Sequence, residues 1–401
     1  MITNVKATNF RSIISADVDL ALFSMLIGAN GAGKTTLISA IDLTGKLASG
    51  MSLNNTINNI APLRRDLFHF GQHSNETSLE MTLRDSVGRK YKLSYKIAQK
   101  NQESEYLLSI VEESLSRLDS DNKEVKIYYR HRDTIMGVPP KSDSTALQEI
   151  PLTIDEDKLL LSSYSNKEVK EIANLMSSSV VLWLNNESTQ WGSGFNIISS
   201  SDPKPTIEHQ VIKLYEASKK HYEEAVQVIK RIIPEFEEPR VLDITEDMQK
   251  TTTRQNDKKS EKIKNYVVFW RENKFDQSFT KQSMSSGNRK VVELIFNLYN
   301  CKNSYMLIGE ELENGLHYAR IQSMVEILKY LSKKLKVQLL FTTHSPQILN
   351  FVSPREVIYC SKDGDGSKYI SLNDTDEYQK IKQELNIEPT SKDLFESGLF
   401  D

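Results

Sequence analysis

The period of the apolar positions changes several times along the chain, and each change marks an element. Residues 2–20, ITNVKATNFRSIISADVDL, alternate apolar and polar positions in two runs that meet at Arg11-Ser12, which predicts a strand pair. Residues 22–27 form a near-continuous apolar run, the pattern of a central strand buried on both faces. Between Thr36 and Leu47 the apolar residues Leu37, Ile38, Ile41 and Leu43 take helical spacing. Alternation returns over 79–98, LEMTLRDSVGRKYKLSYKIA, which reads as a hairpin turning at Ser86-Val87-Gly88.

Signals weaken over 101–205. A helix is predicted near 167–176 and an apolar strand, VVLWL, at 180–184, with Pro- or Ser-rich loops at 137–145 and 199–205. Residues 207–233 have the apolar face of one long amphipathic helix, ended by Pro234. From 265 onward strands and helices alternate. Strands are expected at 266–270 and near 275–280, then a helix at 286–300, a strand at 305–309 and a helix at 318–335. A strand at 337–343, a short helix at 346–351 and a strand at 356–360 follow. That alternation predicts a parallel sheet with helices on its faces, in the α/β class. The sheet would be assembled from both ends of the chain, 1–98 and 265–401, with 99–264 inserted as a mainly helical lobe.

Composition narrows the function classes. A chain of 401 residues can bury one large core or two modest ones without disulfides. Cys301 and Cys360 are too few for a disulfide framework and fit a reducing compartment. The formal net charge is −3, so nucleic acid would have to be met by a local patch. The segment 249–264, with six Lys/Arg against two Asp/Glu, is such a patch or else a solvated loop. No apolar run approaches the roughly 20 residues of a membrane span, and no signal-peptide pattern opens the chain. The expectation is a cytoplasmic protein with no membrane contact.

The chemistry concentrates in short motifs. Gly28-Ala29-Asn30-Gly31-Ala32-Gly33-Lys34-Thr35 matches G-x-x-x-x-G-K-[ST] in full and lies between a predicted strand and a predicted helix. Its glycines allow successive backbone N–H groups to converge on phosphate oxygens. Lys34 would reach the β- and γ-phosphates, and the Thr35 hydroxyl would bind Mg²⁺, with Thr36 opening the helix. An apolar strand then ends in Glu310-Glu311. Glu310 would stand on the metal side and Glu311 would act as general base, their opposite directions on a strand end separating the two roles. His344, 34 residues after Glu310, follows another apolar strand in Thr342-Thr343-His344-Ser345-Pro346, where it could reach a γ-phosphate over the sheet edge. Ser285, Ser286, Gly287 and Asn288 precede a helix and offer hydroxyl and N–H donors, a second anion site or a plain helix cap. One phosphate loop with two anion sites suggests a dimer in which each serine-glycine turn completes the other subunit's pocket.

GANGAGKTT, MSSGNRK, GEELENGLH and TTHSP, in that order, resemble the ABC-type ATPase heads of the SMC, RecF and OLD (overcoming lysogenization defect) group. NFRSI at 9–13, the run SPREVIYCSKDGDGSKYISL and the closing LFESGLF are similar too. The resemblance covers roughly 1–100 and 265–401, and implies a P-loop NTPase fold with a mixed sheet flanked by helices. It implies ATP and Mg²⁺ as ligands, and a homodimer, or a higher oligomer built from it, that closes on ATP and reopens on hydrolysis. By motif, Asn30, Gly31, Ala32, Gly33, Lys34, Thr35, Thr36, Ser285, Ser286, Gly287, Asn288, Glu310, Glu311 and His344 are the implied site, and 314–317 the implied dimer-interface segment. Glu310 departs from the family's Asp. The glutamine that senses the γ-phosphate is either Gln72 or Gln190.

No long heptad array is present, which excludes a full SMC rod. Asp363-Gly364-Asp365-Gly366 has acidic spacing but lies between two strands, where Asp-Gly makes a hairpin turn; no nuclease is expected in this chain. The resulting expectation is an ATPase switch or sensor of the kind found in bacterial anti-phage systems, acting with a separate nuclease or toxin effector. The alternative is a RecF-like DNA-repair ATPase that contacts DNA through Lys250, Arg254, Lys258, Lys259, Lys262 and Lys264.

Overall fold

A computed structural model describes residues 1–58, 60–61, 63–69, 75–102, 105–139, 146–178, 180–182, 198–199, 206–245, 264–273, 277–301, 306–385 and 389–396. The chain divides into two compact units. The first comprises Met1–Leu182, Asn303–Leu312 and Ser332–Asp401; the second comprises Trp183–Lys302 and Glu313–Leu331.

In the first unit, β1 (Ile2–Phe10) and β2 (Ile13–Asp19) pair antiparallel, with Phe10 opposite Ile13 across the Arg11-Ser12 turn. They continue into β4 (Glu76–Arg84), β5 (Lys90–Gln102), β6 (Glu105–Leu118), β7 (Glu124–His131), β8 (Thr134–Gly137) and β9 (Gln148–Glu149). The order of this eight-stranded antiparallel sheet is β2-β1-β4-β5-β6-β7-β8-β9. Strand alternation gives it one apolar face, with Val5, Ala7, Leu79, Met81, Leu93 and Tyr95 all buried. The other face carries cross-strand ion pairs such as Lys6–Asp17 at 2.8 Å and Lys96–Glu112 at 3.2 Å. Such half-exposed pairs add at most about 1 kcal/mol each and serve chiefly to solvate the face.

The second sheet of this unit has β3 (Phe23–Ile27) at its heart, buried at every position. β15 (Gln338–Thr343) and β16 (Val357–Asp363) flank β3 in parallel, and β14 (Met306–Gly309) and β10 (Val180–Leu182) extend the parallel run beyond β15. β17 (Gly366–Ser371) closes the far edge antiparallel to β16. Asp363 faces Gly366 across the turn, as the Asp-Gly pattern predicts. Helix α1 (Lys34–Ala48) leaves β3 and packs on α3 (Lys167–Ser177), whose start is capped by Asn166. A short α2 (Leu53–Ile57) lies between them in the chain, and α8 (Asp376–Leu385) and α9 (Ser391–Glu396) come last.

The second unit holds α4 (Ile207–Ala217), α5 (Lys219–Ile232), α6 (Ser286–Asn300) and the first turns of α7 (Tyr318–Leu335), with a three-stranded sheet. That sheet is β11 (Ile198–Ser199), β13 (Asn265–Phe269) and β12 (Arg240–Asp243), in this order. α4 and α5 pack on α6, with Val211, Ile229 and Leu294 buried, and the Tyr222 and Phe296 rings lie 5.9 Å apart.

Three expectations differ from this arrangement. Residues 99–182 belong to the strands and helix of the first unit, so the mainly helical lobe expected over 99–264 is neither bounded nor built that way. The period-two signal of β6 is broken by a register shift between Ile110 and Glu112, and then by Glu113, a carboxylate on the buried face. The single helix expected over 207–233 is two helices. Ser218 is extended (φ −165°) and its side chain accepts from His221 N, ending α4 and capping α5. Near 275–280 the described residues give one bridge, Trp270 to Phe279, rather than a strand.

Glu113 is 2 % exposed and accepts hydrogen bonds from Tyr128 Oη (2.6 Å), Leu160 N (2.6 Å) and Leu161 N (2.9 Å), tying β6 and β7 to the turn that leads into α3. Glu113→Ala leaves three buried donors unmatched and should cost roughly 3 kcal/mol. In urea unfolding this appears as a lower midpoint with an unchanged slope, and Glu113→Gln should lose less.

Candidate active site

The phosphate-loop motif forms the turn from β3 to α1, inside the first unit. Helix α1 begins at Lys34 with Gly33 as its cap residue, left-handed at φ +106° and without any side-chain cap. A Cβ on Gly33 would stand 2.2 Å from Ser367 Oγ and 2.8 Å from Tyr369 Oη, so space as well as conformation restricts the position to glycine. Tyr369 donates its hydroxyl to Gly33 O at 2.8 Å. Burial pushes its phenol well above the ordinary range, which keeps the proton on the donor. Ser367 donates to Ser12 at 2.8 Å, and Ser12 and Thr36 share a hydrogen bond of 2.9 Å. The loop is thus held by β17 on one side and the β1–β2 turn on the other. Asn30 and Gly31 are exposed and Ala32 is buried; a Cβ on Gly31 would meet nothing within 4 Å. Lys34, 6 % exposed, donates to Gly28 O (2.6 Å) and Ala29 O (2.9 Å), and its Nζ lies 3.4 Å from His344 Nδ1.

The parallel register of β15 on β3 sets Thr342 beside Leu26 and Thr343 beside Ile27, so both chains leave the sheet at the same edge. Glu310 follows β14 at that edge. Thr35 Oγ1 donates to Glu310 Oε1 at 2.8 Å, so the longer carboxylate reaches the loop's hydroxyl directly. Glu311 lies past the end of β14 in the left-handed region, φ +48°. The two adjacent carboxylates therefore diverge through the left-handed backbone of Glu311 itself, not through strand alternation as the sequence suggests. Holding a glutamate there costs on the order of 1–3 kcal/mol. Its N–H donates to Thr342 Oγ1 at 2.9 Å, and the next N–H, Leu312, donates to Thr342 O at 3.2 Å. His344 Nε2 stands 3.8 Å from Glu311 Oε1, both side chains about one-third exposed.

Among the described residues no group of three or more His, Cys, Asp or Glu could hold a metal by itself. Thr35 and Glu310 supply one hydroxyl and one carboxylate, hard oxygen donors that suit a Mg²⁺ ion completed by water and phosphate oxygens. Beside Thr36 lies a cavity of about 450 Å³, walled by Arg11, Ser12, Asp66, His69 and Lys362 among others. One carboxylate oxygen of Asp66 is buried and accepts no hydrogen bond, with Arg65 Nε 3.7 Å from it. An open loop face, a hydroxyl–carboxylate pair and an adjoining recess with an unmet acceptor fit a nucleoside triphosphate and its cation.

Ser285–Asn288 belong to the second unit. Ser285 caps α6, its hydroxyl accepting from Asn288 N at 3.2 Å, so the helix-cap reading of this serine holds within the unit. Gly287 packs on Gly315 so closely that a Cβ on Gly287 would lie 2.0 Å from Gly315 O, and Gly315 is itself left-handed at φ +79°. The Asn288 side chain donates to Glu272 at 3.1 Å and accepts from Arg320 at 2.8 Å, and Arg320 also pairs with Glu235. The motif at 284–288 and the segment at 314–317 thus form one backbone-to-backbone contact.

Residues that the sequence reading did not place in the site are Ser12, Thr342, Ser367 and Tyr369, whose roles arise from pairings between distant segments. Gln72 and Gln190 lie outside the described residues, as do Lys250, Arg254, Lys258, Lys259 and Lys262. Lys264 is exposed and pairs with Glu216 at 2.9 Å.

No curated protein matches the chain. Among solved structures, an SMC head bound to the C-terminal winged-helix domain of ScpA is similar at 12 % identity. That match covers 96 % of this chain and 99 % of that one, with a TM-score of 0.53. An SMC head with an extended coiled coil, bound to the C-terminal domain of ScpA derived from Pyrococcus furiosus, is similar at 11 % identity and TM-score 0.50, over 96 % and 99 % of the two chains. At such identities the likeness establishes the fold, that of a P-loop ATPase head. Residues 23–350 match the family described as "AAA domain, putative AbiEii toxin, Type IV TA system", a span that holds the phosphate loop, Glu310, Glu311 and His344. The chain belongs to this family of AAA-type ATPase domains.

Proposed function

We propose that the chain is an ATP-hydrolysing switch that closes as a homodimer and serves as the ATPase or sensor component of a bacterial anti-phage system, beside a separate nuclease or toxin effector. The carrying observation is the convergence of Lys34, Thr35, Glu310, Glu311 and His344 at one edge of the parallel sheet, within a single unit. The family description, which couples an AAA domain with a toxin–antitoxin system, supports the defence reading. No described helix is long and apolar enough to cross a membrane, in keeping with action in the cytoplasm.

In this reading the loop N–H groups and Lys34 hold the β- and γ-phosphates, and the nucleoside occupies the recess beside Thr36. Bound Mg²⁺ supplies charge neutralisation at the phosphates, with Thr35 and Glu310 as its protein ligands. Glu311 takes the proton of the attacking water, and His344 stands where it can donate to the γ-phosphate. Ser285–Asn288 of a second copy complete the pocket, so hydrolysis requires two copies while binding of a nucleotide requires one.

Three variants test this. Lys34→Ala should abolish ATP binding measured by calorimetry. Glu311→Gln should keep ATP binding and lower phosphate release by at least about 10²-fold; unchanged turnover refutes the general-base assignment. Ser285→Arg should abolish hydrolysis and leave single-site binding nearly intact, whereas loss of binding as well contradicts the shared pocket. Salt-sensitive duplex binding by the wild-type chain, with no effector protein retained, would favour the DNA-repair reading instead.

A further inference from the structure

We infer that Thr342 is a positioning residue for hydrolysis: its side chain holds the backbone of Glu311 in its left-handed conformation and so links the general base to the strand that carries His344. The inference rests on Glu311 being the base.

Glu311 is a non-glycine residue at φ +48°, a conformation that the local sequence does not favour and that the surroundings must enforce. Two contacts that hold it come from Thr342. Thr342 accepts Glu311 N through its hydroxyl at 2.9 Å and Leu312 N through its carbonyl at 3.2 Å, so two successive amides are fixed to a single point. Thr342 is 2 % exposed and lies in β15, where its own backbone is registered against Leu26 of β3. The carbonyl contact is indifferent to side chain, but the hydroxyl contact is not: valine has the same shape and no acceptor. Two residues further on, just past the end of β15, His344 stands 3.8 Å from the Glu311 carboxylate. A shift of β15 against β14 therefore moves the base and the histidine together. Because Thr342 touches neither Lys34 nor Thr35 through any hydrogen bond of the site, its effect should fall on turnover and spare binding.

The test is a kcat against KM comparison for ATP with Thr342→Val and Thr342→Ser in the full chain. Thr342→Val leaves Glu311 N without an acceptor and frees the residue to relax. kcat should drop on the order of 10²-fold, with KM changed by less than about threefold. Thr342→Ser keeps the acceptor and should restore most of the rate. A valine variant with wild-type kcat overturns the inference, as does a loss that serine fails to restore. If the valine variant does not fold by circular dichroism, hydrogen exchange on the unmodified protein decides. The Glu311 amide should exchange slowly, and free exchange there overturns the anchor. Glu311→Gln in the same assay separates the two levels: if it leaves turnover intact the general-base reading fails, and if it abolishes turnover while Thr342→Val does not, only the anchor fails.

Discussion

The parallel pairing of β3 with β15 is the interaction on which the site depends. It joins segments more than 300 residues apart and places the phosphate loop and His344 at the same end of the sheet. β14, on the other side of β15, then delivers Glu310 to Thr35 and Glu311 to His344. A slip of two residues along β15 would move His344 by roughly 7 Å and uncouple it from Lys34. The pairing is secured by a continuous apolar interior: Met25, Leu26, Leu339, Leu340 and Phe341 are all fully buried. Gln338 adds a polar lock, bonding to both the N–H and the carbonyl of Ile2 and so tying β15 to the start of the other sheet of the same unit.

Around that frame the loop is over-determined. Gly33 must turn left-handed against Ser367, and Tyr369, Ser367 and Ser12 then fix it from two directions. Glu311 is held in a comparable way by Thr342. Both left-handed positions lie in the proposed site, as expected of a site whose geometry is set before substrate arrives. The Gly287–Gly315 approach is a third close contact, in the second unit, and it joins the two motifs that the proposed dimer would use.

Most of the first unit's parallel sheet was legible in the sequence because its strands are short apolar runs separated by helices with clear period. Helix 318–335 and helix 286–300 were bounded to the residue, and the Asp-Gly hairpin was readable from turn chemistry. The region 101–149 was not legible. A bulge in β6, a buried Glu113 and very short strands erase period two there, and only the sheet partners restore it. The break at Ser218 was hidden because α4 and α5 keep their apolar faces on either side of it. In the site, motifs named the residues that touch nucleotide in the proposed reading. Their supports, Thr342, Ser367 and Tyr369, could not be named, since a hydroxyl in a strand carries no local sign of what it faces.

The central claim is that one edge of the parallel sheet holds a triphosphate and its cation. Its most direct measurement is a structure of the wild-type chain with Mg²⁺ and a non-hydrolysable ATP analogue. The γ-phosphate is expected between Lys34 and His344, with the cation on Thr35 and Glu310 and the base in the recess beside Thr36. A nucleotide bound away from residues 28–36, or a cation with neither Thr35 nor Glu310 among its near neighbours, would contradict the account.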